Sequence, residues 1–332
     1  MRRLIWIIAL AGLGWCAWWW AASTGLHNAA TRWLDERRAE GWQAEVSDIA
    51  GGGFPLRLQA GLRDLAVADP DTGLAVQMQT LDISAPASWP GDVTVRLADS
   101  PIGLASPYGQ SQLTMARGVM AMELRPGSAL ELDALGWTAG PWQVTDAAGI
   151  QASAQDLTLT MTRTDGPTYT FVTEASQFSP GAAARRGLRL PDGFPSAFDS
   201  LQLRATVTFD RAWDRRALND RRPQPRRIDI TLAEARWGAL SLNLAADLAV
   251  DAAGTPEGTV SLQAENWQTM LDIAEATGTL STRLRGQAEG VLAAMARASG
   301  NETTLDVDLT LRNGAVLIGF IPIAPAPQFI LR

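Results

Sequence analysis

The chain has 332 residues, of which 46% are hydrophobic and 19% charged, and it carries a net charge of −7. This length fits one large domain or two smaller ones, and the acidic balance argues against nucleic acid as a partner. The sequence holds one cysteine (Cys16), one histidine (His27) and no lysine.

These residue counts restrict the chemistry that the chain can perform. Beyond His27 there is no Cys, His or Lys, so a Ser–His–Asp triad, a cysteine nucleophile, a histidine metal site and a P-loop lysine are all excluded there. A single cysteine also excludes a disulfide within the chain. We predict a non-enzymatic protein without cofactor or metal. A carboxylate-dependent hydrolase is the catalytic alternative that the remaining residue types allow.

The N-terminus reads as a membrane anchor. Arg2 and Arg3 precede an uncharged stretch, residues 4–22, which at about 1.5 Å per residue matches a bilayer core of about 30 Å. Trp18–Trp20 stand at its far end, where indole rings favour the headgroup region, and the paired arginines favour a cytoplasmic N-terminus. We predict a single-pass anchor over residues 1–22, with the N-terminus in the cytoplasm and the bulk of the chain exported.

Two other interpretations of this segment are a cleaved signal sequence and a lipoprotein signal. Ala21 and Ser23 could serve a cleaved signal sequence, although the tryptophan cluster before them is a poor approach to a cleavage site. A lipoprotein would need a small residue before Cys16, and Trp15 stands there instead. Residues 23–40 keep a helical spacing of apolar positions up to Gly41, which predicts a helical stalk that continues the anchor.

After Gly41 the apolar period changes from 3.6 to 2, which predicts antiparallel strands with one wet and one apolar face. The pattern holds in segments such as Leu201–Phe209 and Leu305–Leu311. We predict a mainly β protein: a large, curved, antiparallel meander sheet in two halves, with a few short covering helices. The predicted halves are residues 41–178 and 228–332, joined by a linker region rich in Arg and Pro at 179–227.

The glycine-rich stretch GGGFPLRLQAGLRDLAV at 51–67 is the one that resembles a phosphate loop. It lacks the P-loop lysine, continues as an alternating strand, and contains Pro55, so we interpret it as a turn entering a strand. Asp69–Gly73, Asp146–Gly149 and Asp251–Gly254 match hairpin turns with aspartate first and glycine last.

Four further segments stand out. WQTMLDIAEA at 267–276 and GQAEGVLAAMARA at 286–298 predict the covering helices. The uncharged end, residues 314–331, predicts a buried strand followed by an extended tail on an apolar surface, or an exposed docking strand. Residues 211–227 carry an arginine cluster, which is either a solvated loop or a patch for anionic lipid or an acidic partner. The arginines are Arg211, Arg215, Arg216, Arg221, Arg222, Arg226 and Arg227.

Several of these stretches carry a family resemblance. The N-terminal anchor, the Gly53-Phe54-Pro55 step with LRLQAGLRDLAV, the run at 237–271 and NGAVLIGFIPIAPAPQF at 313–329 together resemble an alphaproteobacterial cell-envelope family, domain of unknown function 2125. The resemblance covers nearly the whole chain and implies no catalytic residues. The layout is also distantly similar to AsmA-like envelope proteins, which implies a curved sheet and a link to lipid traffic.

The sequence therefore predicts a membrane-anchored periplasmic protein of the cell envelope that binds rather than catalyses. Lipid acyl chains or an apolar partner segment would lie on the apolar face of a one-sided sheet, driven by about 25 cal/mol per Å² of apolar area removed from water. The alternative is a scaffold or assembly factor for an envelope complex, with a closed β core.

Overall fold

A computed structural model describes residues 2–190, 193–217, 221–278, 280–298 and 301–331. It is mainly β, with one long N-terminal helix, a large antiparallel sheet and a few short helices, as predicted. By its internal contacts the chain forms two compact units. Unit 1 is Met1–Pro126 with Trp137–Ala147, and unit 2 is Gly127–Gly136 with Ala148–Arg332.

The first elements in chain order are one helix and ten strands. They are α1 (Arg2–Ala39), β1 (Gln43–Glu45), β2 (Asp48–Gly52), β3 (Arg57–Asp69), β4 (Leu74–Pro86), β5 (Asp92–Leu97), β6 (Ile102–Ser106), β7 (Gly109–Met115), β8 (Val119–Leu124), β9 (Leu132–Ala139) and β10 (Trp142–Asp146).

The later elements are eleven strands, three α-helices and a 3₁₀ turn. They are β11 (Gly149–Ala154), β12 (Leu157–Asp165), β13 (Thr168–Ala175), β14 (Ser179–Pro180), α2 (Ala182–Gly187), β15 (Ser200–Phe209), the 3₁₀ turn Arg215–Ala217, β16 (Pro225–Trp237), β17 (Leu240–Val250), β18 (Pro256–Glu265), α3 (Trp267–Ala276), α4 (Thr282–Ala298), β19 (Thr304–Arg312), β20 (Ala315–Ile318) and β21 (Ile321–Pro325).

Helix α1 runs without a break through both the predicted anchor and the predicted stalk. Gly41 ends it in a left-handed conformation with φ +92°, and the Trp42 N–H donates to the Arg37 carbonyl at 2.9 Å. Leu34, 1% exposed, packs with Leu62 and Leu65 of β3. The second half of α1 therefore lies on the sheet of unit 1 and buries its apolar stripe there.

In unit 1 the long β3–β4 hairpin forms the base of the sheet, and the sheet forks beyond it. β4 pairs with β5 through residues 81–84 and with β6 through residues 75–77. One arm continues from β5 to β8, and the other runs from β6 through β7 to β10. All these pairings are antiparallel.

The hairpin turns have the chemistry that the sequence predicts. In the turn Asp69–Gly73, the Asp69 carboxylate accepts from the Asp71 N–H at 2.9 Å and from the Thr72 hydroxyl at 2.8 Å, and Gly73 has φ +68°. In the turn Asp251–Gly254, the Asp251 carboxylate accepts from two backbone N–H groups, and Gly254 has φ +81°. The predictions for these two turns are confirmed.

Unit 2 contains an antiparallel meander in which β12, β13, β15, β16, β17, β18, β19, β20 and β21 pair in succession. Its apolar side is covered in two places. Trp267 of α3 and Ala296 of α4 pack against Leu305 and Val307 of β19. The tail residue Phe329 packs with Leu248 and other residues of a second cluster, and its N–H donates to the Gly254 carbonyl at 2.8 Å. The covering helices and the tail on an apolar surface are confirmed, and α4 begins four residues earlier than predicted.

Candidate functional site

Strand register places the alternating apolar residues of unit 1 on one side of the sheet, which we call the apolar face. Directly paired residues share a face, and the pairs Leu62↔Leu81, Leu81↔Leu97 and Val95↔Met120 carry it from β3 to β8. Its members are Leu58, Ala60, Leu62, Leu65, Val67, Val76, Met78, Leu81, Ile83, Ala85, Val93, Val95, Leu97, Ile102, Leu104, Leu113, Met115, Met120, Met122, Trp142 and Val144.

The apolar face is buried unevenly. Residues of β3 that pack with α1, such as Ala60 and Leu62, are 2% and 5% exposed. On β5 and β8 the side chains of Val93, Val95 and Met122 are only half-buried, and Val76 on β4 is 37% exposed. Helix α1 therefore closes one part of this face, and a second part keeps accessible apolar surface.

A groove of about 720 Å³ crosses unit 1 through β1, β3, β4, β6, β7 and β10. Most of its lining residues lie on the side of the sheet opposite the apolar face, which we call the polar face. For example, Gln43 and Glu45 of β1 pair with Ala68 and Ala66 of β3, whereas Val67 of the apolar face pairs with Ala44. Its lining combines small residues and the apolar Val67, Val76 and Leu104 with a set of polar side chains. The polar side chains include Gln43, Glu45, Gln77, Gln110, Gln112 and Thr145.

This groove differs from the one that the sequence predicts, which would lie on the apolar face. The physical reason is that small residues at Ala66, Ala75 and Gly103 leave space on the polar face, whereas α1 fills space over the apolar one. Amide, hydroxyl and carboxylate side chains would have to lose water to admit a hydrocarbon chain, so this groove suits a polar ligand better than an apolar one.

The helix and the sheet of unit 1 are joined by three tryptophans of α1. The indole N–H groups of Trp15, Trp18 and Trp19 donate to the carbonyls of Pro55, Ala87 and Arg57 at 2.9, 2.9 and 2.7 Å. Pro55 lies in the loop Gly53–Leu56 before β3, Arg57 is the first residue of β3, and Ala87 follows the end of β4. The Trp19 ring also meets Phe54 edge-on, with centroids 5.1 Å apart.

Four of the seven arginines of the predicted patch bind carboxylates. Arg216 contacts Asp214 at 2.6 Å, Arg221 and Arg226 contact Asp210 at 2.6 and 3.7 Å, and Arg227 contacts Asp247 at 2.7 Å.

Of the other three arginines, Arg215 and Arg222 are exposed, and Arg211 holds buried guanidinium nitrogens for which the described residues offer no hydrogen-bond acceptor. The arginines of the segment are thus partly neutralised by Asp210, Asp214 and Asp247, and the anionic-lipid or partner patch stays a prediction.

The carboxylates of this segment are held ionised. The Arg216 guanidinium lowers the pKa of Asp214 by hydrogen bonding. For Asp210, burial raises the pKa, but the N–H of Gln224 and the guanidinium of Arg221 outweigh that effect, so its pKa is lowered.

Tyr169 is fully buried in unit 2. Its hydroxyl donates to the Leu132 carbonyl and accepts from the Trp213 N–H, both at 3.1 Å, and burial raises its pKa.

The remaining chemistry-bearing residues are dispersed. Within the described ranges, no group of three or more His, Cys, Asp or Glu is placed to hold a metal ion. Asp306 and Asp308 are exposed on β19, as the alternation predicts, and accept from Gln263 and Ser261 at 2.9 and 2.6 Å. Cys16 is exposed on α1.

The β20–β21 hairpin presents apolar side chains outward. Phe320 at its tip is 98% exposed, and Ile321 and Ile323 of β21 are 68% and 52% exposed. For the C-terminal stretch the sequence predicts either a tail on an apolar surface or an exposed docking strand. Strand β21 is exposed, as in the second interpretation, whereas Ala326 and Phe329 after it pack on unit 2, as in the first.

Comparison with known proteins gives one result. No curated protein and no solved structure matches the chain. Helix α1 is the element among the described residues that is long and apolar enough to cross a membrane, with a mean hydropathy of 1.6 over its most apolar window. A family model described as "Uncharacterized protein conserved in bacteria (DUF2125)" matches residues 18–327, so the chain belongs to that family, as its sequence motifs suggest.

Proposed function

We propose that the protein is a non-enzymatic, membrane-anchored component of the bacterial cell envelope that binds lipid acyl chains on the open part of the apolar face. α1 would cross the inner membrane with the N-terminus in the cytoplasm, placing both units in the periplasm. The observation that carries the proposal is the half-buried apolar surface of β5 and β8, which continues in register from the helix-covered part of the sheet.

The energetics of such binding are favourable without any catalytic group. Each methylene of an acyl chain that leaves water contributes about 0.8 kcal/mol to the free energy of binding. The total therefore grows with the length of acyl chain that contacts the apolar face. Val93 and Val95 offer apolar surface, and the flexible thioether side chain of Met122 can adapt to a disordered chain. Binding by burial rather than by hydrogen bonds predicts broad tolerance for lipid headgroups.

The experiment compares two adjacent substitutions on β5. Val95 lies on the apolar face, whereas Arg96 lies on the opposite face and is exposed. Full-length protein extracted in a detergent free of phospholipid is analysed for co-purified phospholipid by mass spectrometry. We expect Val95→Asp to lose bound lipid several-fold, because a carboxylate on an apolar face is costly, and Arg96→Asp to retain it.

Val95→Trp provides a second variant that keeps the face apolar but occupies the space of the ligand. It is expected to lose lipid while retaining the circular dichroism spectrum of the native protein. Equal lipid content in the native protein, Val95→Asp and Arg96→Asp would contradict the proposal.

A second candidate function, a scaffold for an envelope complex, is favoured by the β20–β21 hairpin. Three exposed apolar side chains at one tip, Phe320, Ile321 and Ile323, are unusual for a surface that only contacts water. Lipid-free native protein together with a specific envelope protein crosslinked at Phe320 would favour this candidate over acyl-chain binding.

A further inference from the structure

The tryptophan contacts leave only a short part of α1 free of the sheet. Residues 4–14 are all exposed, and at about 1.5 Å per residue they extend about 16 Å, roughly half of a bilayer core of about 30 Å. The uncharged stretch continues to residue 22, so a membrane-spanning α1 needs Trp15, Trp18 and Trp19 inside the bilayer or at its boundary. The loops that these tryptophans bind must then reach the same depth.

Non-helical backbone at that depth needs partners for its polar groups within the protein, and three of the four carbonyls of the loop Gly53–Leu56 have them. The Gly53 carbonyl accepts from the Arg57 N–H, and the Leu56 carbonyl accepts from the Ala87 N–H, both at 2.8 Å. The Pro55 carbonyl accepts from the Trp15 indole at 2.9 Å, and proline has no N–H to satisfy.

The side chains around this loop are apolar and point outward. Phe54 is 57% exposed, Leu56 is 71% exposed, and Trp20 on the neighbouring turn of α1 is 68% exposed. Arg57 follows directly, and its guanidinium donates to the Ser84 hydroxyl at 2.9 Å. Apolar side chains bordered by tryptophans and one arginine match the boundary between acyl chains and headgroups.

We propose that Gly53–Leu56 is a membrane-inserted loop that holds the near end of unit 1 in the leaflet on the side of the β domain. Phe54 and Leu56 contact acyl chains, and Trp15 and Trp19 cap the carbonyls of Pro55 and Arg57. Strand β3 then begins, and its antiparallel partner β4 ends, at the bilayer surface rather than beyond a free-standing stalk. This inference rests on the membrane anchor of the proposed function, but not on acyl-chain binding by the apolar face.

The test measures immersion depth with nitroxide labels on the full chain. Cys16→Ser removes the native thiol, and single labels are placed by Leu56→Cys, Ile8→Cys and Tyr108→Cys; Ile8 is 63% exposed on free α1, and Tyr108 is 99% exposed in the β6–β7 turn. In phosphatidylethanolamine–phosphatidylglycerol nanodiscs, the collision rates with oxygen and with a water-soluble nickel chelate are compared. We expect the oxygen-to-nickel ratio to be several-fold higher at Leu56 and Ile8 than at Tyr108.

The outcomes separate this inference from the proposed function. If the Ile8 label is immersed but the Leu56 label is as accessible to nickel as the Tyr108 label, the inserted loop is overturned and the anchor stays intact. Water exposure at Ile8 as well overturns the anchor itself, and the loop with it.

A second pair of variants tests the indole caps. Trp15→Phe with Trp19→Phe keeps the rings but removes two donors, so the Leu56 label is expected to move outward and its ratio to fall. The matched control is Trp6→Phe, on the free part of α1. An unchanged ratio in the double variant would contradict the role assigned to the indole caps.

Discussion

The two units bury the apolar side of their β-sheets to different extents. In unit 2, α3, α4 and the C-terminal tail cover strands β17 to β19, and Leu248, Leu305 and Val307 are 3–6% exposed. In unit 1, α1 covers β3 and β4, while Val93 and Val95 on β5 stay half-buried. The same two-residue periodicity thus builds a closed core in one unit and an accessible face in the other, and the difference comes from the covering elements.

The largest expected effect tests whether unit 2 is a closed core. Trp267 is 3% exposed, packs on Leu305 and Val307, and donates to the Glu302 carbonyl at 3.1 Å. We expect Trp267→Ala to lower the free energy of unfolding by about 3–5 kcal/mol, because it leaves a cavity that the sheet cannot fill. A matched pair is Val307→Ala in unit 2 and Val95→Ala in unit 1, and the first is expected to cost more because Val307 is 5% exposed and Val95 is half-buried. Urea unfolding, monitored by limited proteolysis, measures the loss of unfolding free energy in each variant. Equal losses in the two units would remove the distinction between them.

A smaller effect is expected at the aromatic cluster of unit 2. Tyr169 bridges the Leu132 carbonyl and the Trp213 N–H, so Tyr169→Phe leaves both groups without their partner at nearly constant volume. The expected loss is about 1–3 kcal/mol of unfolding free energy. Tyr108→Phe is the control, because Tyr108 is 99% exposed. Thermal unfolding of the two variants should differ clearly, and matching curves would show that the bridge contributes nothing.

The smallest expected effect is a pH dependence in the arginine segment. The pKa of Asp210 is lowered below its ordinary value of 3.8, so the folded state favours the carboxylate and the unfolded state binds the proton more readily. The stabilisation is therefore present above the ordinary pKa and is lost as pH falls through the lower pKa of the folded state.

Asp210→Asn should reduce stability at neutral pH and flatten the pH profile below pH 3.8. Chemical unfolding across this range measures the profile, with Asp229→Asn as a control on the neighbouring β16. A variant profile parallel to the native one would show that Asp210 does not supply this dependence.

Much of the fold follows from the sequence because its strands alternate cleanly. Leu201–Phe209 and Leu305–Leu311 carry five and four apolar residues at every second position, and both are strands with the expected buried side. The turns were predictable because Asp and Gly have specific roles in them. The sequence does not indicate strands β6, β7 and β10, because short runs of Gly, Ser, Gln and Thr carry little apolar period.

The candidate sites were less predictable, since they depend on contacts that are distant in sequence. The indole–carbonyl bonds of Trp15, Trp18 and Trp19 join residues 38 to 69 positions apart, and no local pattern indicates them. The polar groove depends on register between six strands. Asp64, at φ +49°, coincides with a break in the β3–β4 pairing after Arg63, and such a break changes which residues share a face.

The most direct test of the account is to map where acyl chains touch the protein. Full-length protein in nanodiscs containing a phospholipid with a diazirine in its acyl chain is irradiated, and the labelled peptides are identified by mass spectrometry. The account predicts labels on β5 and β8, around Val93, Val95 and Met122, in addition to those on α1 and the loop Gly53–Leu56. Labels confined to α1 and that loop, or spread equally over the covered strands of unit 2, would contradict it.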